Sequence, residues 1–286
     1  MMWHTRSQKL LWASTSIAGL VLAQMIAYAL QLLLDRSFGF NVFSVCSGWL
    51  HAIGMPALAY GLDALIAYTF LYGAWQLARQ LYWTRRTWSA FRMSADMKKT
   101  EQLAQKFGLA GSAAPLVVAS RKPLALTIGI ARPRIVVSDG LLRLLDDNEL
   151  MAVLDHERHH QASRDPFASF VLSWLASVVW YLPILRWTSE QYRIAREVLA
   201  DQFAMSRSGS MEPVASALLK LLRLGRPDAP RQGVVYASFA ETSINYRLQQ
   251  LIDPHAAPQL RLPLRPMVVS VHAAAFLTAA FVCMLW

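Results

Sequence analysis

The sequence predicts a mainly α, membrane-embedded fold carrying a small α+β domain, and three observations predict it. Hydrophobic residues make up 55% of the 286 positions and the mean hydropathy is positive, more than the core of a soluble domain demands. Two long runs are nearly free of charge, Leu10 to Leu34 and residues 57–78 with Asp63 as the only charged side chain, and a third closes the chain from Met267 to Trp286. Between the second and third runs lie short β-branched stretches bounded by turn residues, the pattern of a small sheet.

The apolar runs come first. Each is long enough for a bilayer core that needs about 20 apolar residues, so spans are expected at about 10–34, 57–80 and 266–286. The first is too long for a signal-peptide core and has no small-residue cleavage site after it, so it is expected to be retained as an anchor. Arg6 and Lys9 precede it, and Arg36 is the only Lys or Arg between Asp35 and Pro56. Arg79, Arg85, Arg86, Arg92, Lys98, Lys99 and Lys106 follow the second run, and Arg261 and Arg265 introduce the third. The positive-inside rule then places the N-terminus and the middle of the chain in the cytoplasm, and it accounts for the net charge of +10 without direct nucleic-acid binding. Tyr82, Trp83 and Trp286 read as interfacial anchors at span ends. Two cysteines, Cys46 and Cys283, support neither a disulfide framework nor a cysteine-based metal site.

The division expected is a membrane region over 1–83, a cytoplasmic domain over 84–265 and a C-terminal span over 266–286. Within the domain, an amphipathic Lys-containing helical stretch from 84 ends at a Gly-Ser-Ala break, Gly111 to Ala114. PLVVAS at 115–120, LALTIG at 124–129 and RIVVS at 134–138 read as strands separated by Arg-Lys-Pro and Ala-Arg-Pro turns. Asp146 and Glu149 form a capping-box pattern, and Leu150, Val153 and Leu154 continue at helical spacing, so a helix begins near Asp147.

That helix carries the five residues with the most chemistry, His156, Glu157, Arg158, His159 and His160. His156 and His160 stand one turn apart on one face and can share a Zn²⁺ ion, with Glu157 beside them as a general base. Three fixed positions alone are only suggestive. Glu197 and Asp201 in REVLADQF add a third ligand and, one turn later, a carboxylate to orient a liganding imidazole. Taken alone, Glu197 and Asp201 read as a solvated face paired with Arg193 and Arg196; joined to the upstream motif they complete a His₂Glu site. His159 reads as a polar surface histidine. His4, His51, His255 and His272 lack ligand-spaced partners, and Asp63 reads as an isolated polar group pointing into the helix bundle, with a functional role as the sharper alternative.

With HERHH, PFASFVLSWLASVVWYLPILRW, REVLADQFA and the upstream GIARPRIVVSDGLLRLLDDNELMAVLDHERHH, the chain resembles the membrane-embedded zinc metallopeptidases of the BlaR and MecR antirepressor type. It is also similar to their relatives, the HtpX and CAAX-prenyl-protease group. The resemblance covers roughly residues 115–253 and implies a gluzincin-like α+β metallopeptidase domain. It makes His156, His160 and Glu197 zinc ligands, Glu157 the general base and acid, and Asp201 the carboxylate behind a ligand. Arg158 and His159 depart from the apolar or small residues usual there. The beta-lactam receptors carry an outer penicillin-binding sensor after their last span, whereas this sequence stops at Trp286, so direct antibiotic sensing is not expected.

The expected activity is that of a zinc endopeptidase of the bacterial inner membrane. It would cleave a protein or peptide at the cytoplasmic side in regulation or quality control, with a transcriptional repressor among the candidate substrates. The competing reading is a catalytically silent metal-binding signalling or scaffold protein. An oxyanion-stabilising group is expected after Asp201, and Arg247 is the candidate. Substrate is expected to add to an edge of the sheet, with RIVVS as the candidate strand. Finally, His160 and Glu197 can share one ion only if the apolar segment 167–187 does not cross the membrane once, so it must be re-entrant, buried or interfacial, with Pro183 as the natural turning point.

Overall fold

A computed structural model describes residues 2–34, 41–111, 114–223, 242–253 and 263–282. His255, Arg261, Cys283, Trp286 and part of the Gly111–Ala114 break lie outside these residues. Eleven helices and three strands run in the order α1 (Met2–Leu34), α2 (Val42–Ala52), α3 (Pro56–Met93), α4 (Met97–Lys106), β1 (Leu116–Val118), β2 (Ala125–Ile128), β3 (Arg134–Ser138), α5 (Asp139–Leu144), α6 (Asp147–Ala162), α7 (Asp165–Val178), α8 (Ile184–Ser208), α9 (Glu212–Arg223), α10 (Thr242–Ile252) and α11 (Leu264–Val282) among the described residues. The chain divides into two units. One comprises Met1–Gln8, Ala78–Val171 and Gln191–Gln259; the other comprises Lys9–Leu77, Leu172–Glu190 and Leu260–Trp286.

The second unit is helical and wears its apolar residues outside. Met25, Tyr28, Phe43 and Ile66 form a buried cluster from α1, α2 and α3. Trp12 and Leu33, by contrast, are 70% and 79% exposed, a distribution suited to lipid rather than water. Among the described residues, α1 is the one helix long and apolar enough to cross a membrane. Asp63 accepts a hydrogen bond from the Tyr28 hydroxyl at 2.7 Å, which gives this intrahelical carboxylate a structural partner.

Three features depart from, or refine, the sequence reading. The loop between the first two apolar runs contains α2, which is capped by the Asn41 side chain accepting from Phe43 N. The second apolar run and the arginines after it, Arg79 to Arg92, form one continuous helix, α3, about 57 Å long at 1.5 Å per residue, while Lys98, Lys99 and Lys106 belong to α4. Segment 167–187 is broken: α7 stops at Val178, and α8 starts at Ile184 just beyond Pro183. With 14 residues, α7 reaches about 21 Å, short of a ~30 Å hydrocarbon core.

In the first unit, the three strands form a sheet in the order β1-β3-β2, with β1 parallel and β2 antiparallel to β3. Alternation sends Val117, Ile135 and Val137 against Leu141, Leu150 and Leu154 of α5 and α6, while Val118, Leu126, Ile128 and Val136 face Trp88 and Phe91 of α3. RIVVS is therefore the central strand, and the expectation that it offers a free edge is corrected: its two sides are taken by β1 and β2, which form the two edges, and the outer side of β1 is itself bonded to Ser94 and Asp96. Gly129 makes the β2–β3 turn, with φ +114°, and a Cβ there would meet the Arg132 carbonyl oxygen at 2.6 Å.

Candidate metal centre

Helix α6 starts where the sequence says it should. Asp146 accepts from Glu149 N, the Glu149 carboxylate accepts from Asp146 N, and both distances are 2.9 Å. The buried Glu149 carboxylate is also held by Lys220 Nζ and Ser216 Oγ of α9, each at 2.6 Å. Leu150 and Leu154 seat the helix against the sheet, which leaves His156 and His160 on another face, one turn apart. Glu157 is buried between that face and β2, where the Thr127 hydroxyl lies 2.7 Å from its Oε2 and 3.0 Å from its carbonyl oxygen.

Helix α8 brings Glu197 to the two histidines. His156 Nε2 and His160 Nε2 are 3.1 Å apart, and the Glu197 oxygens lie 3.6 Å and 3.5 Å from them. Two ligands bound ~2.0–2.1 Å from one tetrahedral ion would be separated by roughly 3.3 Å, so the two nitrogens and the Glu197 carboxylate, one oxygen toward each ring, already stand near such ligand–ligand distances. Two imidazole nitrogens facing each other at this distance also repel unless a proton or a cation lies between them. The residues present thus fit a divalent metal, on spacing and on donor chemistry.

What aims the two nitrogens is a pair of carboxylates. His156 Nδ1 lies 2.8 Å from Asp201 Oδ1, and His160 Nδ1 lies 2.8 Å from Asp165 Oδ2. A carboxylate in this position favours the proton on Nδ1, the tautomer whose Nε2 lone pair is free to ligate a metal. Each is in turn backed by a guanidinium. Arg247 Nε and Nη2 donate to Asp201 at 2.7 Å and 2.8 Å, with Nη1 3.2 Å from Glu197, while Arg196 Nε pairs with Asp165 at 2.6 Å. Arg247, expected as an oxyanion donor, thus directs three nitrogens to Asp201 and Glu197.

Asp165 and Thr127 were missed in the sequence. Asp165 lies five residues after His160, off the helical register, and reaches back only because Arg164 takes a left-handed conformation, φ 52°, between α6 and α7. Its signal, an acidic residue just past the helix end, is too common to single out. The reading of His159 as a surface residue is corrected. It is half-buried, its ring 5.3 Å from that of Phe203, and it accepts from Arg196 Nη2 at 3.2 Å. Burial and then the Arg196 charge lower it to about 4, so it is neutral and committed to α8 rather than to the ion.

Without metal, the site attracts protons. Burial alone would lower His160, but the Asp165 and Glu197 carboxylates outweigh it and raise it to about 10; His156 is raised by Asp201 and Glu197 against the same burial. Burial opposes the charge on Glu197 too, yet His156, His160 and Arg247 hold it well below the usual carboxylate range. Because the folded His160 value lies above 6.5, its proton contributes fully to stability below 6.5, and that contribution is lost as pH rises to about 10. The melting temperature of chelated protein should therefore fall across this window. Saturating zinc, by displacing the protons, should flatten the slope.

Comparison with known families places the centre inside a family match. The family model described as BlaR1 peptidase M56 covers residues 47–251, more than two thirds of the chain, and includes every residue of the centre.

Proposed function

Since this chain belongs to the BlaR1 peptidase M56 family, and is thereby a peptidase, we propose that it is an integral-membrane zinc endopeptidase cutting a protein substrate at the cytoplasmic face of a bacterial inner membrane. The observation that carries the reading is the convergence of His156 Nε2, His160 Nε2 and the Glu197 carboxylate, with the Glu157 carboxylate in the following position on the same helix. Catalytic zinc sites use three protein ligands and keep one position open, and a His₂Glu set is one of their forms.

Bound between these ligands, zinc supplies Lewis acidity that acidifies water and polarises a carbonyl. The chain does the rest. Glu157 takes a proton from the attacking water and returns it to the leaving amine. Thr127 holds the base toward the sheet. Asp201 and Asp165 keep both imidazoles in the ligating tautomer, and Arg247 fixes Asp201 and the Glu197 ligand from behind. An extended substrate pairs along the outer side of β2, one residue of which already contacts Glu157.

The membrane reading rests on α1, on the apolar half of α3 and on α11, proposed as spans near 10–34, 57–80 and 266–286, with the excursion through 167–187 returning to the side it left. The charge asymmetry supports a cytoplasmic site in the 84–265 domain. The substrate class is a membrane-proximal or cytoplasmic protein, a repressor among them.

The test is metal analysis and proteolysis of detergent-purified protein. About one zinc per chain, cleavage abolished by chelation and cleavage restored by added zinc are expected. Protein that arrives without metal and cleaves nothing after zinc is supplied would sink the proposal.

A further inference from the structure

The unit that contains the metal centre also contains the start of the chain, Met1–Gln8, at a distance in sequence that no ligand spacing explains. Trp3 is the anchor. A tryptophan at the polar end of an apolar helix ordinarily lies in the membrane interface with its ring accessible, yet Trp3 is only 4% exposed. It packs in one cluster with Ile194, Ala195 and Val198 of α8, residues that bracket Glu197, with Leu199 and Tyr246 against them. Its indole Nε1 donates to the buried Gln250 Oε1 at 3.3 Å. Tyr246 and Gln250 flank Arg247 on α10. Arg6 adds a second tie, its Nη2 donating to Gln191 Oε1 of α8 at 2.7 Å, and its guanidinium lies 5.0 Å from the Trp3 ring.

One side chain thus touches two of the helices that complete the site from outside α6: α8, which carries Glu197 and Asp201, and α10, which carries Arg247. The two helices are brought together around Asp201 by Arg247 itself, and Trp3 closes the other side of the same junction. We propose that Trp3 is a positioning residue of the peptidase centre, holding α8 and α10 in the register that sets Glu197 and Arg247 against the histidines. The inference rests on the peptidase reading above and deepens it, because it makes the N-terminal turn of the first apolar helix part of the catalytic apparatus.

The two contacts are separable. Trp3→Phe keeps an aromatic ring on α8 but loses the N–H that Gln250 accepts; Trp3→Ala loses both. A reacting group displaced by about 1 Å can cost on the order of 100-fold, so Trp3→Ala is expected to lower kcat by about 10-fold to 100-fold with KM within about twofold. The visible spectrum of cobalt-substituted enzyme should change in Trp3→Ala, because the Glu197 ligand shifts. In Trp3→Phe that spectrum should stay as in wild type while kcat falls less, and Gln250→Leu should reproduce Trp3→Phe. Added to Arg247→Lys, Trp3→Phe should cost little more, since both act through the same guanidinium.

All variants are to be measured in the full chain in detergent. Should Trp3→Ala not fold, Trp3→Phe and Gln250→Leu carry the test. Wild-type kcat in both of these variants overturns the inference, as does a multiplicative loss in the double variant. A merely structural role would lower the melting temperature without moving the cobalt spectrum or kcat, and that result also overturns it. Wild-type protein that takes up no metal overturns the peptidase reading itself, and this inference with it; metal-loaded wild type with unaffected variants overturns this inference alone.

Discussion

Glu157→Gln should leave the centre loaded with zinc and lower peptide cleavage by about 10²–10⁴-fold, the range general acid–base catalysis supplies. The amide has the shape of the carboxylate, and its oxygen can accept from the Thr127 hydroxyl as the native Oε2 does at 2.7 Å. Neither His156, His160 nor Glu197 loses a partner, so metal affinity and melting temperature should change little. The substitution removes one thing, the capacity to take a proton from water and return it to the amine. Zinc stoichiometry and single-turnover cleavage on the same sample make the measurement. This variant also separates the enzyme from the silent metal-binding scaffold: a scaffold keeps its cellular function in Glu157→Gln, and a peptidase loses it.

Asp165→Ala is expected to damage both metal binding and stability. Losing the carboxylate frees the His160 ring to turn and to place its proton on Nε2, and the loss of such an orienting partner typically costs 10–100-fold in metal affinity, roughly. It also strands Arg196, whose side chain is 9% exposed and whose Nε lies 2.6 Å from Asp165 Oδ1. Breaking a buried ion pair from one side costs about 3–5 kcal/mol. Asp165→Asn should fare better in affinity than Asp165→Ala, because an amide oxygen still accepts from His160 Nδ1, but it does not restore the charge that Arg196 faces. Competition against a zinc-binding dye gives the affinity and urea unfolding gives the stability. Tight zinc binding by Asp165→Ala would show that the ring is aimed by packing alone.

How much of this was legible beforehand follows from how local each feature is. The capping box at Asp146 and Glu149, the spacing of His156 and His160, and the three strands between Arg-Lys-Pro and Ala-Arg-Pro turns depend on neighbours within a few residues, and the structure places them as the pattern says. Glu197 and Asp201 were legible because one helical turn separates them, so a ligand and its neighbouring carboxylate share a face. Asp165 was not, since its reach depends on one residue with φ 52°. Thr127 was not, since nothing in LALTIG says that its strand is outermost and beside α6; the same ignorance of strand order put RIVVS at the edge. His159 looked like a surface residue because the partner that buries it, Arg196, lies 37 residues on. Nothing near Trp3 in the sequence connects it to the centre, and only tertiary packing sets it against α8 and α10.

The paired guanidiniums behind the two carboxylates have an electrical consequence. Around the histidines stand four acids, Glu157, Asp165, Glu197 and Asp201, and two bases, Arg196 and Arg247. At their formal charges they leave an excess of two negative charges in a buried volume, which one doubly charged cation cancels and a singly charged one does not. Without an ion, the same excess of negative charge draws protons toward His156 and His160. Loading the centre with a divalent ion therefore expels protons and cancels the excess charge in one step.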